Sequence, residues 1–445
     1  MFYPDQLVKR AGLTQLRCES LAQKGLMKRR ILLHAFLALC TAALIPAGAL
    51  AGPNDSPLDA DQPHYQVLYT FQGGADGAGP VASVVRDTAG NLYGTAEYGG
   101  DLNCGFGTEP GCGVVFKLSP AGSETVLSTF RGGTDGAFPT GTLARDAAGN
   151  LYGTTLRGGG SGCEGSGCGT VFWLGTSGKR TVLHRFGKGT DGQLPFAGVV
   201  RDATGRLYGT AESGGSGCGG SGCGMVFEID VNRKEIVLHE FEGGTDGADP
   251  EADVMLGGAG TLYGTTREGG GSGCNGTGCG TVYKLDQSGK ETILHRFHEN
   301  DGGLPHAGVI RDSSGNLYGL CAIGGPGGWG TVFRLSRRGE ESILYGFKGG
   351  ADGGNPEAGL VMDAAGNFYG STPLGGTNNF GAVFKLDKHG KETVLYSFSG
   401  GTDGAYPEAT LLRDEKGNLY GTALEGGVLG GCGGPGCGVV FKLTP

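Results

Sequence analysis

The chain has 445 residues, of which 96 are glycine and 18 proline, with 38% apolar residues, 18% charged residues and a formal net charge of −9. So much glycine and proline without a period would signal disorder, but the low charge and the apolar share do not fit a disordered chain. After residue 51 the acidic balance and the lack of a basic run argue against nucleic acid and anionic lipid as partners.

Lys28, Arg29 and Arg30 precede the apolar run ILLHAFLALCTAALIPAGALA, which ends in Ala49-Leu50-Ala51. A basic start, an apolar centre and a small-residue end make residues 1–51 an export signal, with Met27 as an alternative true start. The run approaches membrane-spanning length but carries Pro46 and Gly48, so cleavage is expected rather than retention as an anchor. Residues 52–64, GPNDSPLDADQPH, read as a polar linker.

From there the chain repeats. Leu/Phe-Tyr-Gly recurs seven times, at Tyr93, Tyr152, Tyr208, Tyr263, Tyr318, Tyr369 and Tyr420. Each copy holds four short apolar segments, which in the second are PTGTLARD (139–146), NLYGTT (150–155), GTVFWL (169–174) and KRTVLHRF (179–186). Their length, their Val, Leu, Phe, Tyr and Thr content and their Gly, Asp and Pro boundaries predict strands. The expected fold over 65–445 is therefore all-β, a seven-bladed β-propeller of four-stranded blades. The segment YQVLYTF (65–71) is of the fourth-strand type, and GVVFKL (438–443) of the third. The N-terminal strand is expected to complete the last blade, because an open array would leave two bare edges.

The run Pro195–Gly209 is similar to the first two strands of NHL-type propeller blades. Residues 65–445 as a whole resemble the GloVer tandem-repeat proteins, whose copies read G-x-V-F-K-L, E-T-V-L-Y-S-F and G-G-x-D-G-A-x-P. The resemblance implies export and carries no established activity.

Strand alternation puts short turns such as DAAGN (146–150) at one end of the ring, the bottom. The long Cys/Gly loops and the GGTDGAFP-type linkers (132–139) gather at the other end, the top. Five Cys/Gly loops carry the pairs Cys104/Cys112, Cys163/Cys168, Cys218/Cys223, Cys274/Cys279 and Cys432/Cys437. In an oxidising compartment each pair is expected to bridge, closing a short loop worth about 2 kcal/mol. Zinc would need four ligands, and each loop brings two, without histidine. Copies five and six lack the pair, and Cys321 is left as a free thiol.

The seven Asp-Gly pairs (Asp76, Asp135, Asp191, Asp246, Asp301, Asp352, Asp403) offer one oxygen per copy, which suits a turn better than a calcium loop. His184, His239 and His295 share a fourth-strand position with Tyr69, Tyr345 and Tyr396 and are expected as half-buried structural residues spread around the rim. The position after each first-strand proline reads Val81, Thr140, Phe196, Glu251, His306, Glu357 and Glu408, facing the top mouth of the axial channel. One arc thus carries three carboxylates and an imidazole, with Asp253 two residues inside and Trp329 and Phe380 from the two disulfide-free loops. Convergent polar groups beside aromatics in a concavity form a candidate ligand site, against the alternative of a solvated loop edge.

The expectation is a secreted or periplasmic, monomeric binding or surface-interaction module for an extracellular glycan, peptide or small molecule, with no nucleic-acid partner and no membrane association after signal cleavage. One alternative is a propeller lyase or hydrolase holding a divalent cation in the arc, the only cofactor considered. The other is a purely structural extracellular repeat protein. No Ser-His-Asp spacing, phosphate loop or zinc-hydrolase motif is present.

Overall fold

The computed structural model describes residues 62–104, 110–187, 189–220, 222–428, 432 and 434–445. The export signal at 1–51 and residues 52–61 of the linker lie outside the described residues.

Seven antiparallel four-stranded sheets follow one another, each running from an inner first strand to an outer fourth. Blade 1 is Val85–Arg86, Leu92–Ala96, Val114–Leu118 and Glu124–Thr129. Its third strand, VVFKL, is buried at every position but the lysine, whereas the fourth is half-buried at the ring's edge. Continuous apolar runs thus sit inside the blade and alternating ones outside it. Blade 7 is closed by His64–Thr70, which pairs with Val439–Thr444, Tyr65 standing opposite Leu443 and Thr70 opposite Val439. The two chain ends complete one sheet, as their sequence types require.

The first strands are shorter than predicted. Of PTGTLARD only Ala144–Arg145 enters the ladder. The residues before them bond to neighbouring blades instead: Thr140 Oγ1 donates to the Phe196 carbonyl at 2.9 Å and Ser83 Oγ to that of Thr410 at 2.7 Å. Crowding round the axis leaves no room for side chains at some positions. A Cβ on Gly198 would fall 2.0 Å from the Thr142 carbonyl oxygen.

Aromatic contacts bind blade to blade. The phenylalanine ending each fourth strand meets the third-strand ring of the next blade edge-on, as in Phe130–Phe172, Phe186–Phe227 and Phe241–Tyr283, with centroids 5.1–5.2 Å apart. Each such pair contributes about 1 kcal/mol beyond its burial. Leu-Tyr-Gly recurs because the third-strand ring packs on that glycine, and a Cβ on Gly94 would stand 2.7 Å from Phe116 Cζ. At the bottom, Arg145, Arg201 and Arg413 lie over the preceding blades' Tyr93, Tyr152 and Tyr369, 5.6–5.7 Å from the ring centroids.

Candidate functional site

All five cysteine pairs, Cys104–Cys112, Cys163–Cys168, Cys218–Cys223, Cys274–Cys279 and Cys432–Cys437, are bridged within their own loops, and Cys321 is free and buried. Both cysteines of a pair lie in the loop before the third strand, as the sequence reading sets them, and the second of each is in addition buried. Cys112, Cys168, Cys223, Cys279 and Cys437 are at most 1% exposed and belong to the blade cores, Cys168 clustering with Val171 and Phe186, and Cys437 with Phe71 and Val440. The reason is their place in the chain, one glycine ahead of the buried third strand, as in Cys168-Gly169 and Cys437-Gly438. These cysteines are anchors of the fold and offer no surface to a ligand.

Each loop clamps the linker beside it. The residue before each linker proline, including Phe138, Leu194 and Asp249, has a left-handed φ of 52–63°. Such a conformation is costly for a side-chain-bearing residue ahead of proline. The carbonyl of the buried cysteine holds it. Phe138 N–H donates to the Cys112 oxygen at 3.0 Å, Leu194 N–H to that of Cys168 at 2.8 Å, and Asp249 N–H to that of Cys223 at 3.0 Å. Across the ring closure, Gly79 N–H donates to the Cys437 oxygen at 3.0 Å.

In blades 5 and 6 the same bonds run from Asn355 N–H to the Trp329 oxygen and from Tyr406 N–H to the Phe380 oxygen, at 2.8 and 3.0 Å. The linker glycines that face disulfide sulfurs elsewhere, such as Gly132 and Gly243, correspond to Gly349 and Gly400, which face the rings of Trp329 and Phe380. These two aromatics therefore take the place of the missing disulfides. Trp329 remains 44% exposed.

At the mouth, the structure brings Glu251 and His306 together around a residue the sequence reading did not single out. His306 Nδ1 lies 3.0 Å from Glu251 Oε2, and Arg267 Nε donates to His306 Nε2 at 3.3 Å. Arg267 Nη1 lies 3.4 Å from Glu268, 3.8 Å from Glu251 and 3.9 Å from Asp249. Arg267 immediately follows the second strand of blade 4, Leu262–Thr266. Glu212, at the same position of blade 3, is pushed up to about 8, first by burial and then by the charges of Glu251 and Asp249, against Arg267 and Arg157. The mouth over blades 3 to 5 is thus a dense, half-buried alternation of acceptors and donors. Only the equivalence of positions along the repeat could have pointed to Arg267 and Glu212.

Asp253 follows Glu251 by two residues, beside the Gly198 amide of the preceding blade. Burial pushes its carboxyl up to about 6, although it accepts the Gly198 amide, and its Oδ1 has no hydrogen-bond partner. Glu357 and Glu408 hold the position of Glu251 on blades 6 and 7 and are half-buried. Phe380 packs on Gly400 and edge-on to Tyr406, and Trp329 packs on Gly349 and Gly354.

The rim residues are half-buried, as expected for His184, His239 and His295. The Asp-Gly aspartates do close turns, Asp246 accepting the Glu242 amide at 2.8 Å and Asp352 that of Lys348 at 3.0 Å. All but Asp135 also face the histidine or tyrosine of the fourth strand before them, and Asp191 and Asp246 face in addition the first residue of the next blade's fourth strand, a convergence invisible within one copy.

A closed ring of seven four-stranded antiparallel blades with disulfide-clamped loops defines a repeat-built β-propeller. The profile of the Gloeobacter/Verrucomicrobia repeat family matches residues 57–278 and 274–445, and the chain belongs to that family. A comparison with curated proteins finds no match. Among solved structures, the chain is similar to the extracellular domain of a protein regarded as a one-component system from B. thetaiotaomicron, at 10% identity and a TM-score of 0.51, covering 84% of this chain and 39% of that one. It is also similar to a gluconolactonase from Xanthomonas campestris, at 17% identity and a TM-score of 0.38, covering 67% and 82% of the two chains. At these identities the likeness concerns the fold alone. Among the described residues no helix is long and apolar enough to cross a membrane.

Proposed function

We propose that this protein is an exported propeller that binds a hydroxyl-bearing extracellular ligand, a glycan before a peptide or other small molecule, at the top mouth around Arg267. The carrying observation is the packed set Asp249, Glu251, Arg267, Glu268 and His306, whose contacts of 3.0–3.9 Å set acceptors beside donors on one half-buried surface. Such a surface suits hydroxyl groups, which both give and accept hydrogen bonds. Arg267 supplies one positive charge among the carboxylates of Asp249, Glu251 and Glu268. Glu357, Glu408 and Asp253 extend the same surface around the mouth. The five disulfides accord with an oxidising compartment outside the cytoplasm.

The test is an array screen of glycans, peptides and small molecules, followed by calorimetry with any binder found. Glu251→Gln combined with His306→Ala should weaken binding by about tenfold or more. Arg311→Ala and Arg413→Ala at the bottom should leave it unchanged. A ligand that binds the mouth variant as well as the parent, or loses affinity only with the bottom changes, would overturn the assignment.

A further inference from the structure

Between neighbouring blades the rim brings together a residue of one fourth strand, the aspartate of the Asp-Gly turn that follows it, and the first residue of the next fourth strand. In the seams after blades 2 and 3 these trios are His184, Asp191, Glu235 and His239, Asp246, Glu291, with their ligand-type atoms within 4.8 Å of one another. We propose that these two seams are binding sites for a divalent transition metal of the zinc class, each held by one imidazole nitrogen and two carboxylate oxygens.

The first argument is the orphaned atoms. His239 Nε2 stands 3.6 Å from Asp246 Oδ2 and 3.7 Å from Glu291 Oε1, too far for a hydrogen bond to either. Both His239 Nε2 and Glu291 Oε1 are buried without a hydrogen-bond partner, and the Glu291 side chain is only 10% exposed. In the neighbouring seam Glu235 Oε1 is orphaned too, whereas His184 Nε2 lies closer to its aspartate, 3.2 Å from Asp191 Oδ1, without making a hydrogen bond. Buried polar atoms without partners are rare and costly. Here two in each seam converge on the same aspartate.

The second argument is geometry and donor chemistry. Ligand atoms around a tetrahedral zinc stand roughly 3.3 Å apart, so the distances at His239 need close by only a few tenths of an ångström. A set of one nitrogen and two oxygens suits zinc, cobalt or manganese, whereas calcium prefers oxygen alone.

The third argument comes from the other seams, which satisfy the same aspartate without an ion, although Glu124, Glu341 and Glu392 each keep an unpartnered Oε1 there, so it is the unpartnered histidine that sets the two seams apart. Tyr69, Tyr345 and Tyr396 donate their hydroxyls to Asp76, Asp352 and Asp403 at 2.8–3.0 Å. His295 hydrogen-bonds Asp301 directly at 3.2 Å. Between blades 1 and 2 the glutamate is replaced by Arg180, whose guanidinium donates to Asp135 and lies 4.1 Å from the Phe130 ring centroid. In that seam the chain places a cation of its own.

The experiment uses untagged full-length protein freed of metal with a chelator, titrated with Co2+ by visible absorption and with Zn2+ by calorimetry. Two equivalents should bind per chain with a Kd below about 10 µM. His239→Tyr or His184→Tyr should each remove one equivalent, and the double variant both. Tyrosine already occupies this position in three blades, so these variants should melt like the parent in chelator. Glu235→Gln with Glu291→Gln, which keeps shape and removes the anionic ligands, should give the same loss. Zn2+ should raise the melting temperature of the parent and not of either double variant. Failure to bind either ion, or a stoichiometry that the double variants leave unchanged, would overturn the proposal. Neither result bears on the mouth.

Discussion

The two ends of the ring are held in different ways. At the bottom, side chains do the holding: Asp87, Asp146, Asp312, Asp363 and Asp414 each accept from the backbone and side chain of an asparagine and from a tyrosine hydroxyl, at 2.7–3.2 Å. At the top, backbone bonds from loop to linker do the work, and the carbonyl of a cysteine, a tryptophan or a phenylalanine serves equally. A side-chain bracket has to repeat residue by residue. A backbone clamp leaves the side chains around it open to change, so the mouth reads Thr140, Phe196, Glu251 and His306. Five of the seven bottom turns keep the full bracket, Arg206 replacing its asparagine in blade 3 and Gly257 and Thr261 closing the turn by backbone alone in blade 4.

The contrast presupposes a closed ring, and losing closure has the largest expected effect. A chain beginning at Gly79 lacks His64–Thr70 and the fully buried Phe71, and should lose its cooperative transition or melt far below the parent. An unchanged transition in calorimetry would mean that the seventh blade does not need that strand. Next, Asp312→Ala strands three donors from Asn316 and Tyr318 and should cost about 3 kcal/mol in denaturant unfolding. Replacing Cys274 and Cys279 by serine should cost about 2 kcal/mol, because the backbone clamp remains. Non-reducing peptide mapping of the mature, signal-cleaved protein should find five local bridges and one thiol, at Cys321. Glu357→Gln at the mouth should stay within about 0.5 kcal/mol. A cost there equal to that of Asp312→Ala would erase the distinction between the two ends.

The smallest effect is a slope with pH. Glu124 is pushed up to about 7 by burial and then Asp76, Glu392 to about 7 by burial and then Asp352, and Glu212 to about 8 by burial and then Glu251 and Asp249. Each binds its proton more tightly folded than unfolded, so its contribution is full below about pH 4.5 and is lost as pH rises through 7 to 8. The melting temperature should therefore fall between about pH 5 and pH 8, and Gln at all three positions should flatten the slope. A parent whose melting temperature is level across that range would contradict it.

The repeat, the strand types at the two ends and the cysteine pairs were all legible because each is a pattern along the chain. The short first strands were not, since Gly198 and Thr142 crowd each other across blades rather than within one. Nor was the burial of Cys168 and Cys437, whose neighbours Phe186 and Phe71 come from fourth strands that the loop sequence does not contain. Trp329 and Phe380 stood out as aromatics in loops without cysteine, but their role in place of the disulfides depends on Gly349 and Gly400 in the following linker. Arg267 and Glu291 escaped for the same reason. Their partners sit one repeat away, so counting ligands within a single copy gives one oxygen where the folded ring gathers three donor groups.

The pairing of Tyr65 with Leu443 also sets an order of events. The earliest-made strand of the propeller must wait, unpaired, until six complete blades and most of a seventh have left the ribosome. Tyr65 stacks on Tyr396 and meets Phe398 and Phe441 only when the whole repeat array is present. Closure is therefore a late step for the entire chain, of the slow long-range kind. Until then the chain has two open edges and cannot hold its finished shape.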